Sequence, residues 1–328
     1  MDALSDLLRV VNVNGALFLD SRFTAPWCVL SRPAREQGGI FAGAGHIIFF
    51  HVLTHGRCRV RLRSGGDTMT VEAGDLMLLA HDDGHLLGSD LHLAPVASDT
   101  LVRPAPPGGV LSIDHGGGGE ETRFMCGFLA CDPHICRPLL EALPRMLRVP
   151  LGQDAGAQWL MDLLRRGAEL NAVAGPGSST LLAKLAELLF VEAVRRYIAS
   201  LPERHLGWLA GLRDPQVGRA LALLHGEPGK AWTVDELARA VALSRSALAE
   251  RFATLVGESP MQYLTRWRLA LAAQALRSGG DAIARVAERS GYESEAAFSR
   301  AFRREFGVPP ATWRRERKLA AGKRAAAH

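Results

Sequence analysis

Two stretches in the last third of the chain repeat one pattern at an offset of fifty residues. "SRSALAERFATLVGESP" (Ser244–Pro260) is followed by "SEAAFSRAFRREFGVPP" (Ser294–Pro310). Each stretch opens on a Ser, carries an Ala and a Phe at the same later positions, and has a Gly shortly before its closing Pro. Self-similarity at a fixed offset indicates that one supersecondary unit is used twice. The last third is therefore predicted to hold two copies of the same unit.

Each copy predicts a short helix, a tight turn and a second helix. In the first copy Thr233 and Glu236 have the spacing of a capping box for the short helix. In the second copy Asp281 is the expected cap of the short helix. Each second helix starts after a Ser and stops at a Gly: Ser244 and Gly257 in the first copy, Ser294 and Gly307 in the second. This order is typical of the helix-turn-helix, whose second helix enters the major groove of DNA.

Residues at the start of each second helix are predicted to read bases. Leu248 and Phe252, and in the second copy Phe298 and Phe302, mark the stripe that packs inward, so the opposite face is left outward. N-terminal residues of such a helix reach the base edges. The predicted base readers are Arg245, Ser246, Ala249 and Glu250 in the first copy and Glu295, Ala296, Ser299 and Arg300 in the second. The predicted phosphate contacts, further along, are Arg303 and Arg304.

The segment between the copies and the charge of this region support a DNA partner. "PMQYLTRWRLALAAQALRS" (Pro260–Ser278) predicts one continuous helix of about 27 Å, which suits two readers held about one duplex turn, 34 Å, apart. From Asp214 onward the chain carries 19 Lys and Arg against 12 Asp and Glu, a net charge of +7, whereas the remainder carries 20 against 22, a net charge of −2. The basic part is the part with the repeat, and polyanions are its expected partner.

From about Pro215 to Lys318 the chain resembles the DNA-binding domain of AraC/XylS-type transcription regulators. The resemblance lies in "WTVDELARAVALSRSALAERF", "GESPMQYLTRWRLALAAQAL" and "GYESEAAFSRAFRREFGVPPATWR", the last being the most specific string. It implies tandem helix-turn-helix units in adjacent major grooves of double-stranded DNA. Activation is the commoner role among proteins of this kind, and an activator would have RNA polymerase as a further partner.

The first part of the chain predicts strands. Residues from about Arg22 to Phe128 form short apolar runs broken by Gly-rich turns, and "RCRVRLRS" alternates Arg with apolar residues, so a sandwich or small barrel is expected. Residues 1 to about 145 resemble the cupin-type sensor domain found in a subset of these regulators, in "MDALSDLL", "FHVLTHG" and "GDLMLLAHDDGH". The cupin motifs are incomplete, because Phe49 stands where a metal-binding Glu is expected and Ala80 and Asp82 replace the usual Pro and Gly.

Three side chains are the candidate sensor residues. His51 and His85 are expected to face each other across the barrel, either as hydrogen-bonded imidazoles or as metal ligands with His115 or Cys126. Cys126 itself is either an inert buried thiol or, if its pKa is low, a redox trigger with Cys28 or Cys131. The sequence requires no cofactor, and a metal in the barrel is one hypothesis for the two His.

Residues from about 155 to 200 predict an antiparallel pair of helices joined by the turn "AGPGSS". The leucines and one Trp at helical spacing are Trp159, Leu160, Leu163 and Leu164, then Leu181, Leu182, Leu185, Leu188 and Leu189. Such stripes are typical of an internal core and equally of a dimer seam. A homodimer through these helices is expected.

Targeting signals are not evident. "MDALSDLLRVV" has no basic region before its apolar run, and the apolar stretch near residue 185 contains Lys184, Glu187 and Glu192, which argues against a membrane span. The expected location is the cytoplasm, where the five Cys stay reduced.

Together these observations predict an α+β multidomain protein. Its expected parts are a cupin-like β-barrel (1–145), a helical linker or dimerisation region (146–213), an all-α tandem helix-turn-helix domain (214–318) and a disordered basic tail (319–328). The predicted function is sequence-specific regulation of transcription, controlled by a small molecule or oxidant sensed in the barrel. The alternatives are a metal-dependent cupin enzyme with a DNA-binding regulatory tail and an architectural DNA-binding protein without a sensor.

Overall fold

Eleven strands and a series of helices make up the described part of this computed structural model, which comprises residues 3–11, 19–37, 41, 45–104, 110–152, 158–164, 166, 178–202, 205–278 and 280–315. These residues form two compact units. One unit contains the described residues of 13–131 and 143–199, and the other those of 1–12, 132–142 and 200–328. Two segments of the first 145 residues thus belong to the same compact unit as the C-terminal third.

The first unit is built on two sheets. Its strands are β1 (Leu19–Thr24), β2 (Cys28–Ser31), β3 (His46–His55), β4 (Arg57–Leu62), β5 (Met69–Glu72), β6 (Asp75–Leu79), β7 (His85–Gly88), β8 (Val96–Ala97), β9 (Leu111–Gly116), β10 (Glu121–Cys131) and β11 (Leu147–Pro150). One sheet has the order β11-β6-β3-β10-β1-β9 and the other β5-β4-β7-β2-β8. The predicted strand-rich cupin-like domain is confirmed.

The inner residues of β3 and β10 follow from strand alternation. Phe49 and Leu53 of β3 lie in the core between the sheets, and so do Phe124 and Cys126 of β10. His51 has the parity of Phe49 and Leu53, so it points to the same interior. The antiparallel register makes His51 the direct partner of Cys126. Cross-strand partners are close neighbours, and the pairing therefore places the imidazole beside the thiol.

The helices divide between the two units. They are α1 (Ala3–Val11), α2 (Ala34–Gln37), α3 (Pro133–Ala142), α4 (158–164), α5 (Ser178–Ser200), α6 (Trp208–Arg213), α7 (Pro215–Gly226), α8 (Val234–Ala240), α9 (Arg245–Val256), α10 (Pro260–Ser278), α11 (Ile283–Arg289), α12 (Glu295–Phe306) and a last helical segment, 310–315. The second unit contains α1, α3 and every helix from α6 onward. The continuous helix predicted between the two repeats is α10.

Most of the predicted helix caps are confirmed. The Thr233 hydroxyl accepts from the Glu236 N–H at 3.2 Å, and the Glu236 carboxylate accepts from the Thr233 N–H at 2.9 Å. The predicted caps of the two second helices are also found. The hydroxyls of Ser244 and Ser294 accept from the third N–H of α9 and α12, and Gly257 and Gly307 end these helices in the left-handed conformation, with φ of 86° and 77°. The prediction for Asp281 is wrong, since α11 begins one residue later, after Ala282, and Asp281 accepts from Arg289 instead at 2.8 Å.

The central helices have both a buried and an exposed apolar face. Their buried residues are Leu160, Leu164, Leu182, Leu185 and Leu189, and their exposed ones are Trp159, Leu163, Leu181 and Leu188. Most of the predicted turn "AGPGSS" and the whole tail 319–328 lie outside the described residues. None of the helices described is both long enough and apolar enough to cross a membrane.

Candidate nucleic-acid interface and barrel cavity

The two second helices, α9 and α12, expose their residues in the same pattern. Between Ser244–Pro260 and Ser294–Pro310, buried, half-buried and exposed positions correspond everywhere except at two pairs: Arg251 with Ala301, and Ser259 with Pro309. The sequence repeat is therefore also a repeat of surface. The positions that are exposed on α9 are thus largely the ones that are exposed on α12.

The predicted base readers lie on that shared surface. The exposed ones are Arg245, Ser246, Glu250, Glu295, Ala296 and Arg300, and the half-buried ones are Ala249 and Ser299. Arg245 pairs with the Asp235 carboxylate at 3.3 Å. Within the described part of the chain, Arg300, Arg303 and Arg304 are exposed and form no ion pair. The second helix thus offers three uncompensated cations, whereas the two exposed arginines of the first, Arg245 and Arg251, each have a carboxylate partner.

An aromatic cluster holds α12 in place. Phe298 and Phe302 are fully buried, and Phe302 lies 4.4 Å from Phe306 and 5.9 Å from Trp313 between ring centroids. The Trp313 Nε1–H donates to the Ala273 carbonyl of α10 at 3.2 Å. Burial of aromatic rings in such pairs is strongly stabilising. The exposed face of α12 is therefore fixed from behind by rings of α12 itself and of the last helical segment, which is hydrogen-bonded to α10.

Sequence reasoning missed two aspartates that attach supporting helices. Asp214 caps α7, accepting from Val217 N–H at 2.9 Å, and also binds Arg251 of α9 at 2.8 Å. Burial raises the pKa of Asp214, but Arg251 and the backbone N–H groups outweigh it and hold the pKa below its ordinary value. The carboxylate is therefore charged at neutral pH and links α7 to the first reading helix.

Asp132 attaches a supporting helix to the second repeat in the same way. Its carboxylate accepts from the His134 N–H at 2.9 Å, capping α3, and from Arg277 of α10 at 2.5 Å. The His134 ring lies 5.2 Å from Phe306 and 5.3 Å from Trp313. In both cases the Asp precedes a Pro, the usual cap followed by Pro at the first helical position. The two Asp-Pro pairs could have been recognised in the sequence as helix starts, but they do not indicate the arginine that each Asp binds.

In the barrel, three candidate side chains form a hydrogen-bonded row. His51 Nδ1 lies 2.9 Å from Cys126 Sγ, and His51 Nε2 lies 2.9 Å from His85 Nε2. His85 Nδ1 lies 3.0 Å from the Asp83 carbonyl. That carbonyl only accepts, so His85 donates from Nδ1 and accepts at Nε2. Consequently His51 donates from Nε2 and accepts the Cys126 S–H at Nδ1.

Burial keeps this row neutral. It lowers the pKa of His51 well below 6.5, with the neighbouring His85 as a further cause. It lowers the pKa of His85 to about 4, although the Asp83 carbonyl and carboxylate act in the opposite direction. Burial also raises the pKa of Cys126 to about 12. The raised pKa of Cys126 agrees with a buried thiol and not with the low pKa that the redox hypothesis assumes.

All five cysteines are free thiols, and the one near Cys126 is neither of the two expected partners. Cys131 lies five residues along the same strand, about 17 Å away at 3.3 Å per residue, whereas a disulfide needs Cα atoms within about 7 Å. Cys58 shares the core cluster with Cys126, and its pKa is raised by burial and then by Cys126. Cys28 is buried but lies outside that cluster. Cys58 is thus the neighbouring thiol.

The row does not fit a metal. Cys126 and His85 contact opposite nitrogens of His51, so the three donors do not converge on one point. His115, the other expected ligand, is half-buried on β9. Across the described ranges no group of three or more His, Cys, Asp or Glu side chains is arranged to hold a metal ion. A catalytic metal needs about three protein ligands, and these residues do not supply them together.

A cavity of about 350 Å³ lies beside the row. Most of its lining is apolar, and its polar lining residues are Ser21, Ser31, Gln37, His51, Ser98, Asp99 and Cys126. The apolar lining residues are Leu19, Phe23, Val29, Phe41, Phe49, Leu87, Val102, Leu111, Ile113, Phe124 and Phe128. An apolar enclosure with a few convergent polar groups is the usual form of a small-molecule site.

Comparison with known proteins agrees with this architecture. A family model described as cupin matches residues 2–199, and one described as a helix-turn-helix domain matches residues 237–316. An AraC-like transcription regulator of Streptomyces antibioticus is 33% identical over 318 residues, which are 96% of this chain and 99% of that protein. The chain belongs to the AraC family of transcription regulators. This AraC-family protein is thus a DNA-binding regulator with a cupin-like domain.

Two further similarities concern the whole chain and its DNA-binding part. The RCS-specific transcriptional activator RclR of Escherichia coli K12 is 30% identical over 323 residues, 98% of this chain and 100% of RclR. The solved DNA-binding domain of AdpA in complex with a target DNA is 29% identical, covers 32% of this chain and 95% of that domain, and gives a TM-score of 0.31. The relatives are regulators, which favours regulation over the alternative of a cupin enzyme.

Proposed function

We propose that this AraC-family regulator reads two successive major-groove segments, one with α9 and one with α12. The observation that carries the proposal is the equivalent exposed surface at the capped start of both helices. The proposed base readers are Arg245, Ser246, Ala249, Glu250, Glu295, Ala296, Ser299 and Arg300. Arg303 and Arg304, exposed and without carboxylate partners in the described chain, are the proposed phosphate contacts.

Two substitutions on one helix test this division of roles. Replacing Arg300 by Ala is expected to change the sequence preference, because a base contact is lost. Replacing Arg304 by Ala is expected to weaken binding to all sequences alike and to reduce the slope of log K against log salt by about 1. The measurement is binding to a selected site and to its scrambled version over a salt series. Equal losses on both DNAs for both variants would contradict the assignment.

The barrel cavity is the proposed effector site. Its aromatic and aliphatic lining supports a small apolar molecule, and the high pKa of Cys126 gives less support to a diffusible oxidant that needs a thiolate. An effector of this kind acts by binding one arrangement of the protein more tightly than another. Its addition is expected to change DNA affinity by about 5- to 150-fold, the usual range of coupling between two sites.

The proposed route from barrel to DNA runs through α3. β10, which carries Cys126, ends at Cys131, and α3 begins two residues later. Through Asp132 and His134 this helix contacts α10 and the aromatic cluster behind α12. A shift of β10 would therefore move a support of the second reading helix. The observed position of α3, bonded to α10 through Asp132, is one state of the proposed population shift.

A homodimer through α5 is proposed as well. Leu181 and Leu188, seven residues apart, are 46% and 45% exposed on one face, and such a repeat is typical of helix pairing. The double variant Leu181→Glu with Leu188→Glu is expected to halve the mass in solution, measured by light scattering. Leu206→Glu, at another exposed leucine, is the control and is expected to leave the mass unchanged. A wild-type monomer at micromolar concentration would contradict the dimer.

Activation is the proposed direction of control, supported by the name of the RclR relative. RNA polymerase is then the further partner, and the cytoplasm is the proposed location because a regulator works at the chromosome. The enzyme alternative predicts a stoichiometric metal together with turnover of a substrate. Metal analysis of the purified protein with a turnover screen separates the two, and regulation without turnover is the expected result.

A further inference from the structure

We propose that Cys126 is a covalent acceptor for apolar α,β-unsaturated carbonyl compounds that enter the barrel cavity. The inference rests on the proposed role of this cavity as the effector site. It adds a chemical class of effector and a residue that reacts with it. The carbon skeleton occupies the apolar lining while the thiol sulfur attacks the unsaturated carbon.

The thiol is placed for attack and its proton has an acceptor. Cys126 and His51 are 8% and 7% exposed, and both line the cavity. The S–H points to His51 Nδ1 at 2.9 Å, within the range of a proton transfer. Because His51 is neutral, its Nδ1 lone pair is available at any physiological pH. Ser31 and Gln37 bring a hydroxyl and an amide to the same cavity, where they can meet the carbonyl oxygen.

The row of imidazoles also determines where the proton goes. As Nδ1 of His51 takes the thiol proton, its Nε2–H can pass to His85 Nε2, 2.9 Å away. The charge then rests on His85, whose Nδ1–H stays bonded to the Asp83 carbonyl and whose ring lies near the Asp83 carboxylate. His85 holds a proton more readily than His51 for this reason. The row thus moves the positive charge one residue away from the reacting sulfur.

The reaction balances without any oxidant or further reactant. A bond forms between Cys126 Sγ and the β-carbon, and the carbon–carbon π bond breaks to give an enolate. His51 Nδ1–H then protonates the α-carbon while the proton on His85 Nε2 returns to His51 Nε2. The product is a thioether in which the S–H has added across the double bond. Nothing is oxidised or reduced overall.

An organic electrophile fits these surroundings better than a small polar oxidant. An oxidant such as hydrogen peroxide reacts with the thiolate, which is scarce at a pKa of about 12. It also gains nothing from the aromatic lining. A bound enone gains from proximity to the sulfur, and its attack requires only that His51 take the proton in the same step.

The pH dependence of the reaction follows from the groups around the thiol. Those facing Cys126 or the imidazoles are Ser21 and Asp20 of β1, His51 of β3, Cys58 of β4, and His85 with Asp83. Burial raises the pKa of Asp20 from 3.8, with Arg123 opposing the shift. Neither the thiol nor the imidazoles titrate between pH 6 and 8. The reaction rate at Cys126 is therefore expected to change less than threefold over that range, whereas an ordinary thiol of pKa about 8.5 gains about 75-fold.

The test uses the full-length protein and 3-nonen-2-one, an apolar enone, with intact-mass and peptide mass spectrometry. One adduct per chain, located on Cys126, is expected for the wild type and for Cys28→Ser, the matched control at a buried thiol outside the cluster. Cys126→Ser is expected to form none at that rate. His51→Gln and His85→Gln are expected to form the same adduct more slowly, by about 100-fold for His51.

Failure of this inference is separable from failure of the cavity as an effector site. 2-Nonanone, the saturated analogue, cannot react, so its binding to the wild type and to Cys126→Ser measures occupancy of the cavity alone. Binding of 2-nonanone without an adduct on Cys126 would overturn the covalent step and leave the effector site standing. Adducts spread over the five Cys, with a rate rising steeply from pH 6 to 8, would overturn it too. So would faster formation of a Cys58–Cys126 disulfide by hydrogen peroxide.

Discussion

The two helix-turn-helix units expose corresponding positions of α9 and α12 but are supported differently. In the first, α9 packs against α6, α7 and α8, and α8 has a complete capping box. In the second, α12 packs against α10 and α11, and α11 starts without a side-chain cap. The second unit depends instead on its aromatic cluster and on α3. Equal surfaces therefore do not imply equal sensitivity to the rest of the chain.

The contrast is sharpest at the two Asp-Pro helix starts. Asp214 connects α7 to Arg251 within the C-terminal third of the chain. Asp132 connects α3 to Arg277, 145 residues further on, and directly follows the strand that carries Cys126. Both helix-turn-helix units are supported by segments of the first 145 residues, because α1 packs on α7 and α3 packs on α6 as well as on α10. The side-chain contacts of Asp132 and His134, however, are made to α10 and to the aromatic cluster of the second unit. Control by an effector is expected to act on the second unit.

The largest effect is expected from the fully buried Phe of each unit. Phe302→Ala and Phe252→Ala each remove a ring that is 0% exposed, which costs about 3–5 kcal/mol. Each variant should lose protection of its own DNA segment and keep the other. Local stability is measured by native-state hydrogen exchange and protection by footprinting. Loss of both segments in either variant would show that the units do not fold independently of each other.

A smaller difference is expected between Asp132→Asn and Asp214→Asn. The Asp132 side chain is 2% exposed, and loss of a charged hydrogen bond there costs about 1.5–3 kcal/mol. Arg251, the partner of Asp214, is 49% exposed, so loss of their ion pair costs about 1 kcal/mol or less. Hydrogen exchange of α10 and α12 should rise in the first variant only, and exchange of α9 in the second. The same response in both would remove the distinction between the two supports.

The reading faces themselves are compared through Arg300→Ala and Arg245→Ala. Loss of a base contact costs about 1–3 kcal/mol of binding. Arg245 already has Asp235 at 3.3 Å, which competes with DNA, so its removal is expected to cost less than that of Arg300. Titration of each variant against single-base variants of the site gives the two costs. A larger loss for Arg245→Ala would reverse the ranking.

The smallest effect is a change of stability with pH, expected only in the first helix-turn-helix unit. Burial lowers the pKa of His225 to about 3, and the residue fifty positions later is Ala275. Below pH 6.5 His225 of the unfolded chain binds a proton, whereas buried His225 of the folded chain stays neutral. The free energy of unfolding therefore falls as the pH falls toward 3. From pH 7 to pH 6 the loss is about 0.7 kcal/mol. Hydrogen exchange, corrected for its intrinsic pH dependence, should show the loss around α7, and His225→Gln should abolish it.

Local features of the sequence predicted local features of the structure. Capping residues such as Ser244 and Ser294 form bonds within three residues, and the alternation of β3 placed His51 in the interior, so no knowledge of distant contacts was needed. Asp281 failed as a cap because a one-residue shift of the helix start moved it out of position. Such shifts depend on packing by neighbours and are not visible in spacing.

Long-range features were not predictable in the same way. Asp132 and Arg277 are 145 residues apart, and no local pattern connects them. The thiol near Cys126 depends on how the two sheets pack, since Cys58 lies on β4 of the other sheet and shares the core cluster with Cys126. The pKa of Cys126 depends on burial in this core, which raises it and favours the buried thiol of the two interpretations. Contacts between distant segments decided the support of the second unit and the chemistry of the barrel.

Hydroxyl-radical footprinting of the full-length protein on a selected site tests the central claim most directly. The account predicts two protected segments on one face of the duplex, about 10 base pairs apart as for successive major grooves. Phe252→Ala should erase one of them and Phe302→Ala the other. A single protected segment in the wild type, or protection that ignores the base sequence, would contradict a two-part reader.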